Sequence, residues 1–207
     1  MPKRNAVKVY GEDEYYHVYN RGAGKANIFM DEQDMAYFLK LIGRYLALSP
    51  VFDKSGRELP RYPDAIDVVA YCLMPNHFHM LVYLKDRDGL TRFMKSLMTA
   101  YSMYFNIKYR RSGALFEGRF LASRIDNEAY LWHVSRYIHL NPLDIDVDYA
   151  SYSFSSLRQY VGEQGYDWLK KDRLVETSQE ANANAVFVAD DVDRHRVYHI
   201  LRHQLAN

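Results

Sequence analysis

Ile66-Asp67-Val68-Val69-Ala70-Tyr71-Cys72-Leu73-Met74-Pro75-Asn76-His77-Phe78-His79-Met80-Leu81-Val82-Tyr83-Leu84 is the stretch that decides the fold. Ile66 to Met74 is apolar except for Asp67 and rich in β-formers, which reads as a strand, and Pro75-Asn76 is a bend signal. His77 to Leu84 reads as the next strand. Successive side chains on a strand point to opposite faces, so Phe78, Met80, Val82 and Leu84 share a face that enters the core. His77 and His79 then share the other face.

Upstream, Glu14 to Tyr19 reads as a strand stopped by Asn20-Arg21-Gly22. Asp31 is placed to cap a helix, and Met35, Phe38, Leu39, Ile42, Tyr45 and Leu46 follow its three-four spacing until Ser49-Pro50. Pro50 to Ala65, with three prolines, reads as an irregular loop. Downstream, Asp88 or Gly89 opens a second helix whose apolar positions run from Leu90 to Phe105, and Asn106 to Gly118 is a basic loop. Arg119 to Ile125 reads as a fourth strand. Asp126 is expected to cap a third helix that runs to about Leu140, where Pro142 ends it. The order is strand, helix, strand, strand, helix, strand, helix. It predicts an α+β fold of the split βαβ kind, with an antiparallel sheet, two helices on one face, and the third helix and the site on the other. Beyond it, 174–191 reads as a linker and 192–205 as a short terminal helix.

At 207 residues the chain suits one good core plus an appendage. One cysteine, Cys72, excludes an internal disulfide and fits a reducing compartment. No apolar run follows the basic start Met1-Pro2-Lys3-Arg4, and no stretch approaches the ~20 apolar residues of a membrane span, so a cytoplasmic protein is expected. The net charge of +1 hides an asymmetry: residues 85–136 hold ten Lys and Arg against five acids, whereas 141–207 hold seven against eleven. A basic middle suits an anionic partner, although a solvated surface gives the same count. Nineteen tyrosines suit base stacking as well as ordinary core edges.

Two imidazoles on one strand face are a ready pair of metal ligands, and also what two ordinary strand histidines look like. On the third helix His133, Tyr137 and Asn141 recur every four residues and so share a face. Taken singly, Tyr137 reads as a core-edge aromatic and Asn141 as a helix stop. Taken with the histidines, they read as a nucleophilic phenol one turn from a metal ligand. A phenol attacking phosphorus makes a covalent phosphotyrosine and releases a 3′ hydroxyl, which conserves the energy for rejoining. With a free pKa of about 10, only about one phenol in a thousand is ionised at neutral pH, so the site must help. A divalent cation, Mg²⁺ or Mn²⁺, would do so by polarising the phosphate. Lys108, Arg110, Arg111, Arg119 and Arg124, interleaved with Tyr104, Tyr109, Phe116 and Phe120, match the physical recipe for gripping single-stranded nucleic acid, and they are the candidate DNA-binding residues.

Four ordered blocks carry a resemblance: Tyr16-His17-Val18-Tyr19-Asn20-Arg21-Gly22, Met74-Pro75-Asn76-His77-Phe78-His79, Gly113-Ala114-Leu115-Phe116-Glu117-Gly118-Arg119-Phe120, and Arg136-Tyr137-Ile138-His139-Leu140-Asn141-Pro142. Together with Tyr152-Ser153-Phe154-Ser155-Ser156, they resemble the REP-associated tyrosine transposases, a single-tyrosine branch of the HUH single-strand DNA endonucleases. The resemblance spans about residues 16–162. It implies a ferredoxin-like fold, His77 and His79 as the metal pair, Tyr137 as the nucleophile and Asn141 at the position of the third metal ligand. It further implies a need for Mg²⁺ or Mn²⁺ and cleavage of single-stranded DNA near palindromes that form hairpins. The expected division is a catalytic domain over 1–162 and a C-terminal extension over 163–207. A monomer and a homodimer both remain open. So do two other readings: a hairpin-DNA binding module without chemistry, and a metal-dependent hydrolase in which Tyr137 is structural.

Overall fold

The computed structural model of the protein describes residues 9–175. The terminal helix expected over 192–205 lies outside the described residues. The main elements are β1 (Glu14–Arg21), α1 (Glu32–Tyr45), β2 (Ile66–Met74), β3 (His77–Leu84), α2 (Gly89–Lys108), β4 (Leu121–Ile125) and α3 (Glu128–Leu140). The strands form one antiparallel sheet in the order β2-β3-β1-β4. This is the mixed α+β architecture expected from the element order, and β2 and β3 have the bounds read from the sequence.

The alternation within β3 divides the sheet into two faces. Phe78, Met80, Val82 and Leu84 are fully buried. Phe78 meets Phe38 of α1 at 5.1 Å between ring centroids, and Phe38 in turn meets Tyr101 of α2 at 5.0 Å. Burying a side chain such as Phe78 contributes roughly 1.5–3 kcal/mol, so this layer is what holds α1 and α2 down. The opposite face carries His77, His79 and, by the register of β1 on β3, their neighbours Arg21 and Tyr19. There α3 packs, with Leu131, Val134, Tyr137 and Ile138 buried.

Several boundaries differ from expectation: β1 runs on through Asn20 to Arg21, and α2 continues to Lys108, into the expected loop. Helix α3 is capped by Asn127, not Asp126: Asn127 is extended, and its side chain accepts from the Tyr130 amide at 2.8 Å, while Asp126 accepts from the Asn127 side chain. Helix α1 ends at Tyr45, before Ser49-Pro50, as the Tyr45 carbonyl turns to accept from the amide of Tyr62. Strand β4 starts at Leu121 rather than Arg119, where pairing with Tyr19 begins.

Strand β2 stands first in the sheet yet is buried along its whole length. The chain after α3 covers its outer edge. Leu73 donates to the Phe154 carbonyl, Ser156 donates to the Tyr71 carbonyl, and Lys170 donates to the Val68 carbonyl. Arg173 is ion-paired with Asp67. An open edge is thereby closed to further strand pairing, which also explains why β2 is apolar at every position but the ion-paired Asp67. No helix among the described residues is long and apolar enough to cross a membrane.

Candidate metal and nucleophile site

Strand β3 and helix α3 meet where the imidazoles emerge. The Tyr137 ring stands edge-on to His79, with centroids 5.2 Å apart and planes at 79°, and edge-on to His17 of β1 at 5.9 Å. His77 and His79 lie 5.0 Å apart, ring to ring. Asn141, one turn beyond Tyr137, is fully buried. All of these except Asn141 line a cleft of about 890 Å³, together with Arg21, Lys25, Arg119, Glu117 and Asp144.

Hydrogen bonds set the orientation of each candidate ligand. Asn76 donates through Nδ2 to the Lys25 carbonyl at 3.4 Å, which turns its Oδ1 to within 2.6 Å of His77 Nδ1. An amide oxygen only accepts, so Nδ1 of His77 carries the ring proton and Nε2 a lone pair. Asn141 donates through Nδ2 to the Tyr137 carbonyl at 2.8 Å, leaving its Oδ1 3.2 Å from His77 Nε2. Two lone pairs thus face each other, an arrangement that a shared cation stabilises. Adjacent ligand atoms of an octahedral cation with ~2.1 Å bonds sit about 3 Å apart, which this spacing matches.

His79 Nδ1 lies 2.8 Å from His17 Nε2, so Nε2 is the His79 nitrogen left to serve a cation. Burial, reinforced by the neighbouring His17 and His77, holds the His79 pKa well below its ordinary value, and burial alone lowers that of His17 to about 3. Both rings are therefore neutral, the form that ligates metal. Among the described residues no group of three or more His, Cys, Asp or Glu side chains is arranged to hold a metal ion. The set that fits is two imidazoles and an amide oxygen: His77, His79 and Asn141.

The basic residues singled out from the sequence separate in space. Arg119 lines the cleft. Arg110 and Arg111 are exposed on the loop after α2; Arg111 donates to the Ala114 carbonyl and lies over the Phe105 ring. Lys108 is bound to Asp31 and to the buried Asp34 in the helical layer. Arg124 pairs with Tyr16 in the sheet register, on the face away from the imidazoles, and is bridged to Glu14 at 2.5 Å. His133 is exposed at the outer end of the Tyr137 face.

Sequence reasoning passed over four cleft residues. Arg21 is the cross-strand neighbour of His77 and is ion-paired with Glu117, and Lys25 sits in the turn just after β1. Asn76 and His17 hold the two imidazoles. The signal for His17 and Arg21 was the alternation of β1 itself, which places Tyr15, His17, Tyr19 and Arg21 on one face.

Residues 62–141 match the family model described as "Transposase IS200 like". Among solved structures the chain is similar to a REP-associated tyrosine transposase bound to a REP hairpin, at 15% identity and a TM-score of 0.55, over 78% of this chain and 88% of that one. It is also similar to a putative transposase from Deinococcus radiodurans R1, at 14% identity and a TM-score of 0.40, over 64% and 92%. No curated protein matches it. The chain thus matches the IS200-like transposase model over residues 62–141 and shares the fold of a REP-associated tyrosine transposase.

Proposed function

We propose that the protein cleaves and rejoins single-stranded DNA at hairpin elements through a covalent 5′-phosphotyrosine on Tyr137. The observation that carries the reading is the approach of the Tyr137 ring to His79 within a cleft that also receives His77, Arg21, Lys25 and Arg119. The transposase relationship and the hairpin bound by the similarly folded protein supply the substrate class.

In this mechanism the Tyr137 oxygen bonds to phosphorus as it loses its proton, and the bond from phosphorus to the 3′ oxygen breaks. The 3′ oxygen leaves and takes up a proton to become the free 3′ hydroxyl, which balances the proton lost by the phenol. Attack by a 3′ hydroxyl on the phosphotyrosine reverses these changes and rejoins a strand without outside energy. Nε2 of His77, Nε2 of His79 and Oδ1 of Asn141 would hold Mg²⁺ or Mn²⁺, which when bound supplies Lewis-acid polarisation of the phosphate. Arg21, Lys25 and Arg119 bind and orient the backbone phosphates. Arg110 and Arg111 extend that surface along the loop. One chain supplies both the phenol and the imidazoles, so the site as read needs no residue from a second copy.

Single-stranded hairpin DNA incubated with the protein and Mn²⁺, followed by a denaturing gel, tests the reading. A protein–DNA adduct is expected, absent from Tyr137→Phe, which still binds the hairpin. Cleavage that survives in Tyr137→Phe assigns the site to water activation instead. A wild type that binds hairpins and never cuts, with any divalent cation, leaves a binding module.

A further inference from the structure

The two candidate metal imidazoles differ in what holds the nitrogen turned away from the cleft. Asn76 holds His77 through an oxygen that only accepts. His79 is held by another imidazole. His17 is 1% exposed, and its ring packs against Tyr19, 4.9 Å away at 27°, and His79, 5.0 Å away at 19°, the three rings forming a triangle whose third side, Tyr19 to His79, is 5.7 Å. Its Nε2 is 2.8 Å from His79 Nδ1.

We propose that His17 is the positioning residue of the metal site: its Nε2 accepts the Nδ1 proton of His79 and so presents the His79 Nε2 lone pair to the cation. The inference rests on the reading of His77, His79 and Asn141 as ligands. Only one direction of this hydrogen bond is compatible with metal. If His17 Nε2 donates instead, His79 carries its proton on Nε2, aimed where the cation would sit. In the metal-binding arrangement the one proton of neutral His17 resides on its Nδ1. That atom is buried and has no hydrogen-bond partner among the described residues. Nothing therefore locks His17 in one tautomer as the Asn76 amide locks His77. The His17 ring itself decides how much His79 contributes to metal affinity, as outer partners of ligating histidines do in general. Full burial and the packing against Tyr19 and His79 hold the His17 ring in this position.

The test uses the full-length chain and Mn²⁺ alone, with the dissociation constant read from the electron paramagnetic resonance of free Mn²⁺. His17→Phe keeps the ring stack and removes the acceptor; about tenfold weaker binding is expected. His17→Gln restores an acceptor, and binding within about threefold of wild type is expected. Circular dichroism confirms that each variant is folded. A second measurement needs no variant: ¹⁵N-resolved NMR of Mg²⁺-saturated wild type should find the His79 proton on Nδ1. Mn²⁺ binding that depends on His79, tested with His79→Ala, but is unchanged in His17→Phe overturns the positioning role alone, as does a proton found on His79 Nε2. Equal binding by wild type and His79→Ala overturns the ligand reading and this inference with it.

Discussion

The side-chain amide of Asn141 donates to the backbone carbonyl of Tyr137, one helical turn earlier, at 2.8 Å. This bond ties the third candidate ligand to the residue that carries the phenol. It also fixes the amide so that Oδ1, and not the NH₂ group, faces His77. The end of α3 thus links the proposed nucleophile and the proposed ligand in one unit, which is what a phosphoryl-transfer site needs to hold phosphorus in line with the attacking oxygen.

Asn141→Ala tests that unit. It deletes the ligand oxygen and the support of the last turn of α3 together. The Mn²⁺ concentration for half-maximal cleavage is expected to rise at least about tenfold, a loss of ~1.4 kcal/mol of binding. Asn141→Asp keeps an oxygen and adds a charge, and should restore metal binding more than Ala does. Titration of hairpin cleavage against Mn²⁺ checks both, and an unchanged half-maximal concentration in Asn141→Ala would remove this residue from the metal site.

The cations of the cleft and of the loop should report themselves through salt. Each Lys or Arg that neutralises a phosphate contributes about 0.7 to the slope of log affinity against log salt for single strands. Arg21→Ala, Lys25→Ala and Arg119→Ala should each weaken hairpin binding and flatten that slope by roughly this amount. The Arg110→Ala, Arg111→Ala pair should flatten it further if the loop tracks the backbone. Lys108→Met should leave the slope alone and lower the melting temperature, because the ammonium it removes is engaged by the buried Asp34. Fluorescence anisotropy at several salt concentrations separates the two behaviours.

Much of this arrangement was legible in the chain because the deciding patterns are local. The bounds of β2 and β3, the shared face of His77 and His79, and the four-residue spacing of Tyr137 and Asn141 all follow from periods of two and three to four residues. What depended on register was hidden. His17 reads as one polar residue in an aromatic strand until β1 is aligned against β3, which brings Tyr19 opposite His79 and His17 one pair further on. The separation of the basic residues was hidden for the same reason: Arg119 and Lys108 are equally basic in sequence, yet Lys108 points into the helical layer and meets two carboxylates.

Acid should destabilise the metal-free protein. Burial lowers the pKa of His17 and of His139 to about 3, and that of His79 well below its ordinary value. An unfolded histidine titrates near 6.5. At neutral pH these rings are uncharged in both states. As pH falls below about 6.5 the unfolded chain takes up protons that the folded chain refuses, so stability declines toward pH 3. Each ring contributes roughly 1 kcal/mol per pH unit through this window. Urea midpoints should drop steadily between pH 7 and pH 5. A flat profile would mean that the three rings accept protons in the folded state.

Gly22 offers a test of how the cleft wall is built. It follows β1 and opens the short turn Ala23–Lys25, and its backbone is extended rather than left-handed, so conformational freedom is not the reason for glycine here. The reason is space: a Cβ at Gly22 would sit 1.9 Å from the Ala26 carbonyl oxygen, a backbone atom that cannot move without displacing the turn. That turn carries Lys25, and the Lys25 carbonyl in turn receives the Asn76 amide that orients His77. Gly22→Ala is therefore expected to weaken both hairpin binding and Mn²⁺ binding although the residue touches neither ligand. Overpacking of this kind typically costs about 1–3 kcal/mol, so the variant should still fold and be measurable. Loss of stability with both affinities intact would show that the turn adjusts without carrying Asn76 along.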